Sequence, residues 1–164
     1  IESFRRELIA GAQDVQKIFD DTAAMREKIE AAKGQGDEWD AKLGAGRMQD
    51  IELFSQAACL TSGEIDRSVS AGIMQALGLK LISKTEAKML DDAYSTFWAI
   101  QAVSKLLSEK PLEPGEIGLG GKDFLLRECA SERLEDLKTS LREHSEAAAS
   151  VIDQALDGNL ETQT

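Results

Sequence analysis

Residues 83–109 read SKTEAKMLDDAYSTFWAIQAVSKLLSE. Met89, Leu90, Tyr94, Phe97, Trp98, Ile100 and Leu106 recur along this stretch at helical steps, and no strand-like alternation interrupts them. Ser83, followed three residues on by Glu86, has the pattern of a capping box, in which each side chain satisfies the other residue's backbone N–H. With no proline inside, the spacing predicts one long helix ending near Glu109, its aromatic cluster at the centre of a core.

Working outward, the only prolines are Pro111 and Pro114, so the residue that most reliably breaks helices is confined to one loop. Before that loop, Phe4, Leu8, Val15, Ile18, Phe19, Met25 and Ile29 form an apolar stripe from Glu2 to about Lys33, closed by Gly34 and Gly36. Asp37 to Ala45, holding Trp39, reads as a loop, and Met48, Ile51, Phe54 and Ala58 open a helix of about four turns. Thr61 with Glu64 repeats the capping-box spacing, which predicts a third helix from there through Ile73 to Leu77, stopped by Gly78. Lys110 to Gly121 is an irregular connection. A short helix is expected over Lys122 to Cys129, then a last one capped by Ser131, with Leu134, Leu137, Leu141, Ala148, Ile152 and Ala155 on one stripe. Helix should cover roughly three quarters of the chain against the usual third. The expectation is an all-α bundle of five or six helices, one domain over residues 1–156 followed by a frayed polar tail over residues 157–164.

At 164 residues the chain is long enough to bury a core without staples. An apolar fraction of 42% beside 30% charged residues fits a globular domain. Membrane spans need about 20 apolar residues in succession, and none occurs. A net charge of −11 repels nucleic acid and anionic membranes alike. Cys59 and Cys129 lie far apart with no CxxC spacing, His144 has no second histidine to join it in a metal site, and any Ser-His triad would depend on His144, which reads as exposed among charges. A reduced, cytoplasmic protein is expected. Glu2, Arg5, Arg6 and Glu7 exclude a signal peptide, and with no initiating Met the chain reads as a piece of a longer polypeptide.

Lys42 to Gln56, KLGAGRMQDIELFSQ, is the one unusual chemical stretch. Carboxylates two residues apart share an ion when they lie on a strand, because both then point to one face. On a helix they diverge by about 200° at 3.6 residues per turn, so Asp50 and Glu52 should not chelate one ion. Asp50, in the first turn, is placed to accept from free backbone N–H groups. Glu52 is expected to pair with Arg26 or Lys42, which would make Glu52→Ala the costlier change and Asp50→Asn a mild one. The glycine-rich PGEIGLGGKD at 114–123 lacks the Walker spacing and a preceding strand, and reads as a flexible connection. Cys59 reads as a small buried hydrophobe and His144 as a solvated residue among charges. No catalytic residue and no metal site is expected within the chain.

From Ala24, the run AMREKIEAAKGQGDEWDAKLGAGRMQDIELFSQAACL resembles the segment that follows the nucleotidyltransferase domain in glutamine synthetase adenylyltransferases. There a Met-Arg-x-x-Ile helix and a Trp-bearing turn lead to G-G-x-x-D-I-E-F-x-x-Q. Arg26, Trp39, Lys42, Gly46, Asp50, Ile51, Glu52 and Gln56 match; Leu53-Phe54 shifts the aromatic by one step, and Arg47 replaces the second glycine. More loosely, Tyr94 to Leu107 and the run from Phe124 to Ile152 resemble the family's C-terminal end. The resemblance implies the helical domain after the C-terminal of two nucleotidyltransferase domains, in the half that adenylylates glutamine synthetase. The matching domain of the de-adenylylating half, or a protein-interaction module without a catalytic role, is the alternative.

For the parent enzyme the resemblance implies ATP and magnesium, with AMP passing to a tyrosine hydroxyl of glutamine synthetase under control of the PII signal protein. The family's catalytic carboxylates belong to an upstream Gly-Ser and Asp-x-Asp pattern absent from this sequence. The chain by itself is expected to be inactive and to bind neither cofactor. Asp50, Glu52, Arg26 and Lys42 become candidates for an interdomain contact or a wall of the active site.

Overall fold

The computed structural model describes residues 15–34, 36–64, 66, 68–107 and 112–161, with side chains described as far as Asp157. Among them the apolar stripes fold into six helices and no strand, and about three quarters of the described residues are helical. The helices are α1 (Val15–Lys33), α2 (Met48–Ser62), α3 (Val69–Gly78), α4 (Lys84–Leu107), α5 (Leu119–Glu128) and α6 (Leu134–Glu161). The chain is an all-α bundle. The proposed start of α1 at Glu2 and end of α4 near Glu109 lie outside the described residues.

The capping box at Ser83 forms as the sequence predicts: the Ser83 N–H donates to Glu86 Oε2 at 2.6 Å and the Glu86 N–H donates to Ser83 Oγ at 3.3 Å. The box expected at Thr61 does not form. Thr61 lies inside α2, its hydroxyl donating to the Ala57 carbonyl at 2.9 Å. Gly63, left-handed at φ 75°, then closes the helix with its N–H on the Cys59 and Leu60 carbonyls. A glycine free to adopt positive φ terminates a helix more strongly than a nearby Thr can restart one. The next helix therefore waits for Ser68, whose hydroxyl accepts from the Ala71 N–H at 3.2 Å.

Three other boundaries move. The short helix begins at Leu119, ahead of Lys122, behind Gly118 in an extended conformation. Ser131 does not cap α6; its hydroxyl donates to the Arg133 carbonyl at 3.2 Å, and the helix starts at Leu134. Backbone helix also persists through Asp157 to Glu161, the first part of the stretch expected to be a polar tail; residues 162–164 lie outside the described residues.

The core is a single cluster that takes side chains from every helix, with Phe19, Phe54, Phe97, Leu90, Ile100, Leu125 and Ile152 all but sealed from solvent. Phe97 is central as predicted, but Trp98 is 58% exposed. The buried line of α4 runs Leu90, Ala93, Phe97, Ile100 and Val103, and the next residue after Phe97 is rotated about 100° away from it. α2 and α3 pack most intimately, because Gly72 lets the backbones meet: a Cβ there would lie 2.4 Å from the Ser55 carbonyl oxygen. α4 lies along α6, while α1 rests on α2 and α6, so three helices converge on the start of α2. Among the described residues no helix is long and apolar enough to cross a membrane.

Candidate functional site

The loop leading into α2 is tied by its own polar groups. Asp37 Oδ1 accepts from the Trp39 N–H at 2.9 Å, and Asp40 Oδ1 accepts from the N–H groups of Lys42 and Leu43 at 2.8 and 3.0 Å. Arg47 then gathers the loop from the other side: its Nη1 donates to the carbonyls of Asp37 (2.7 Å), Asp40 and Leu43 (3.1 Å). Gly46, at φ +68°, presses this loop on α6 so closely that a Cβ would lie 1.9 Å from the Ser145 carbonyl oxygen and 2.5 Å from the Ala149 nitrogen. Only glycine fits there, on both conformational and steric grounds.

Held this way, the first turn of α2 places Asp50 at the meeting point of three elements. Its Oδ2 accepts from the Gly46 N–H at 2.7 Å and from Arg26 Nη2 at 2.9 Å, while Oδ1 accepts from Arg26 Nε at 2.5 Å. The same Arg26 Nη2 reaches Asp153 of α6 at 2.8 Å. Asp50 is 7% exposed, so this fork is a partly desolvated ion pair rather than a surface contact. Burial alone would lower the Arg26 pKa, but the hydrogen bonds and charges of Asp50 and Asp153 outweigh it and raise it.

Asp50 and Glu52 diverge, as the helical spacing predicts, but Glu52 does not take the partner expected of it. Glu52 Oε1 accepts from the Tyr94 hydroxyl of α4 at 3.0 Å, whereas Arg26 belongs to Asp50. Burial, with the Glu52 carboxylate beside it, pushes the Tyr94 phenol up to about 12. Lys42 is exposed on the loop and reaches neither carboxylate. The predicted order of mutational cost therefore inverts, since Asp50 is the buried, charge-paired residue and Glu52 is held by a neutral phenol.

Beside the fork lies a cleft of about 310 Å³ between α1, the loop and α6, lined by Arg26, Glu27, Glu30, Gln49, Asp50 and Asp153 among others. Both oxygens of Asp50 are committed and Glu52 turns away. Among the described residues no three His, Cys, Asp or Glu side chains gather as a metal would need. The described residues lining this cleft do not fit a magnesium–nucleotide site.

Elsewhere, His144 is not the solvated residue expected: it is half-buried edge-on to Phe97, with ring centroids 6.5 Å apart, and its buried Nδ1 has no partner among the described residues. Cys59 is buried as expected, and its thiol donates to the Asp66 carbonyl at 3.3 Å. Burial, then the nearby acidic charges, raises the Cys59 pKa, and burial with Glu128 pushes Cys129 up to about 11. Neither thiol is poised as a nucleophile. Sequence reasoning missed Asp153, Tyr94 and the tying role of Arg47. For Arg47 a signal existed, its replacement of a motif glycine; for Asp153 and Tyr94 the local sequence holds none.

No protein-family model matches the chain. It is similar to proteins named bifunctional glutamine synthetase adenylyltransferase/adenylyl-removing enzyme. The protein of that name from Rhodopseudomonas palustris strain BisB5 is 24% identical across 97% of this chain. Those from Rhizobium meliloti strain 1021 and Bradyrhizobium sp. strain ORS 278 are 26% identical across 92% and 29% identical across 77% of it. This chain spans only 17%, 16% and 13% of those relatives' lengths, respectively.

Proposed function

We propose that this chain is the helical domain that follows the C-terminal nucleotidyltransferase domain of a glutamine synthetase adenylyltransferase, where it walls the active site and orients partners rather than carrying the chemistry. The observation that carries this reading is similarity to enzymes of that name running through 97% of the chain. The Arg26–Asp50–Asp153 fork supports it. A rigid, partly buried polar junction at the start of α2, built from three separate elements, suits a surface that must present itself accurately to a neighbouring domain. On this reading ATP and magnesium belong to the nucleotidyltransferase domain outside this chain, and AMP passes to a tyrosine of glutamine synthetase. The PII signal protein is the regulatory partner, the compartment is the cytoplasm, and the chain alone is inactive.

A second reading, a protein-interaction module with no part in the transfer, draws on the exposed Trp98 and the net charge of −11. The enzyme carrying a nucleotidyltransferase domain ahead of this chain distinguishes them. Asp50→Asn and Glu52→Gln should lower adenylyl transfer at saturating ATP by more than their effect on stability, with glutamine synthetase binding retained. Loss of AMP removal in place of transfer assigns the chain to the de-adenylylating half. Loss of binding alone supports the module, and wild-type rates in both directions with intact binding overturn the active-site reading.

A further inference from the structure

A second cleft, of about 320 Å³, lies between the loop and the N-terminal half of α6. Three cations line it: Arg47 from the loop, and Lys138 and Arg142 one turn apart on α6. In a chain of net charge −11 such a gathering runs against the overall field. Thr139 lies between them, and Glu38 and Glu135 are the acidic members of the lining.

The cations are only loosely neutralised. Arg47 makes no ion pair among the described residues, and its side-chain hydrogen bonds there run through Nη1 to backbone carbonyls, so no carboxylate neutralises it at ion-pair distance. Arg142 meets Glu146 at 3.6 Å with both side chains about two-thirds exposed. Lys138 meets Glu38 at 2.7 Å, also near the surface, and this contact raises the Lys138 pKa. Exposed pairs of this kind contribute little and exchange readily for a better anion.

We propose that this cleft binds a phosphate group, as inorganic phosphate or as a phosphate monoester. Arg47 comes from the loop, and Lys138 and Arg142 from successive turns of one face of α6; three cationic groups on one cleft suit a phosphate dianion with three terminal oxygens better than a singly charged carboxylate. Glu38 is the built-in competitor: it occupies Lys138 when the cleft is empty and is displaced on binding. The site is independent of Asp50 and Glu52, and therefore of the reading given above.

Calorimetric titration of the chain with inorganic phosphate, and separately with a short phosphoserine peptide and its unphosphorylated counterpart, tests this at constant ionic strength. Saturable binding is expected in at least one phosphate arm. Arg142→Gln should weaken it about tenfold, the loss of one charge-assisted contact, and Glu38→Gln should tighten it severalfold. Because Arg47 also ties the loop, these two exposed positions carry the test. A preference for the peptide identifies a phosphorylated protein as the source, and equal or better binding of inorganic phosphate identifies a small molecule. No saturation in either arm, equal binding of the unphosphorylated peptide, or affinities unmoved by both substitutions overturns the proposal.

Discussion

The chain has two glycine-rich helix starts, and they are built to opposite ends. At the start of α2, Gly46 has backbone pressed on it from α6 and the loop is drawn in by Arg47. Asp50 there is held by a backbone N–H and a guanidinium that also reaches Asp153. At the start of α5, Gly118 and Gly120 face open space, and Asp123 is exposed. The first start is a junction of three elements; the second is only a bend between two. Glycine content does not separate them. What separates them is whether removing the Cβ allows a contact or merely allows a turn.

The sharpest way to break this contrast is Gly46→Ala. A methyl group there would meet the Ser145 carbonyl oxygen at 1.9 Å on a residue already at positive φ, so overpacking and backbone strain act together. A loss of about 3 kcal/mol or more is expected in urea unfolding; a loss under about 1 kcal/mol would mean that the loop and α6 are not held together at this point.

Next in size is Asp50→Ala. Deleting one partner of a buried pair costs about 3–5 kcal/mol when the survivor has no other partner. Arg26 keeps Asp153, which is half-exposed, so a loss of about 2–3 kcal/mol is expected, with Glu52→Ala costing less. A larger cost at Glu52 than at Asp50 would restore the order expected from sequence. The Glu52–Tyr94 contact has its own signature. The folded phenol titrates at about 12, above its ordinary value near 10. Its contribution is therefore fully present below about pH 10 and is lost as pH rises through about 12. Tyr94→Phe should cost about 1 kcal/mol at neutral pH and remove the chain's phenolate absorbance altogether. A tyrosinate signal near pH 10, from the chain's single tyrosine, would show that the phenol is neither buried nor held by Glu52 as described.

The helices are legible in the sequence because an apolar stripe is a local signal, and the Ser83 box forms because nothing competes with it. The same letters at Thr61 mislead because Gly63 outranks them, a contest that spacing alone does not reveal. At the candidate site, helical geometry correctly separates Asp50 from Glu52 but is silent on which neighbour each will meet. That depends on where α1, α4 and α6 come to rest, so the sequence places Arg26 in the right cluster and pairs it with the wrong acid. Asp153 and Tyr94 come from helices remote in sequence and carry no local mark of their roles. Trp98 misleads for a related reason: an aromatic cluster in sequence spans more of the helix surface than one core face can bury.

The smallest expected effect tests the other half of the comparison. Gly120 sits in the first turn of α5, no heavy atom lies within 4 Å of the place a Cβ would take, and its φ is not positive. Alanine there meets no obstacle, and it removes conformational freedom from the unfolded chain while the folded backbone stays as it is. Gly120→Ala should therefore stabilise the chain by about 0.4–1 kcal/mol, a change opposite in sign to that at Gly46. The measurement is the urea midpoint at unchanged slope, since a changed slope would report on the denatured state instead. Destabilisation would mean that the start of α5 must bend or open in a way that only glycine permits, and the two helix starts would then differ in degree rather than in kind.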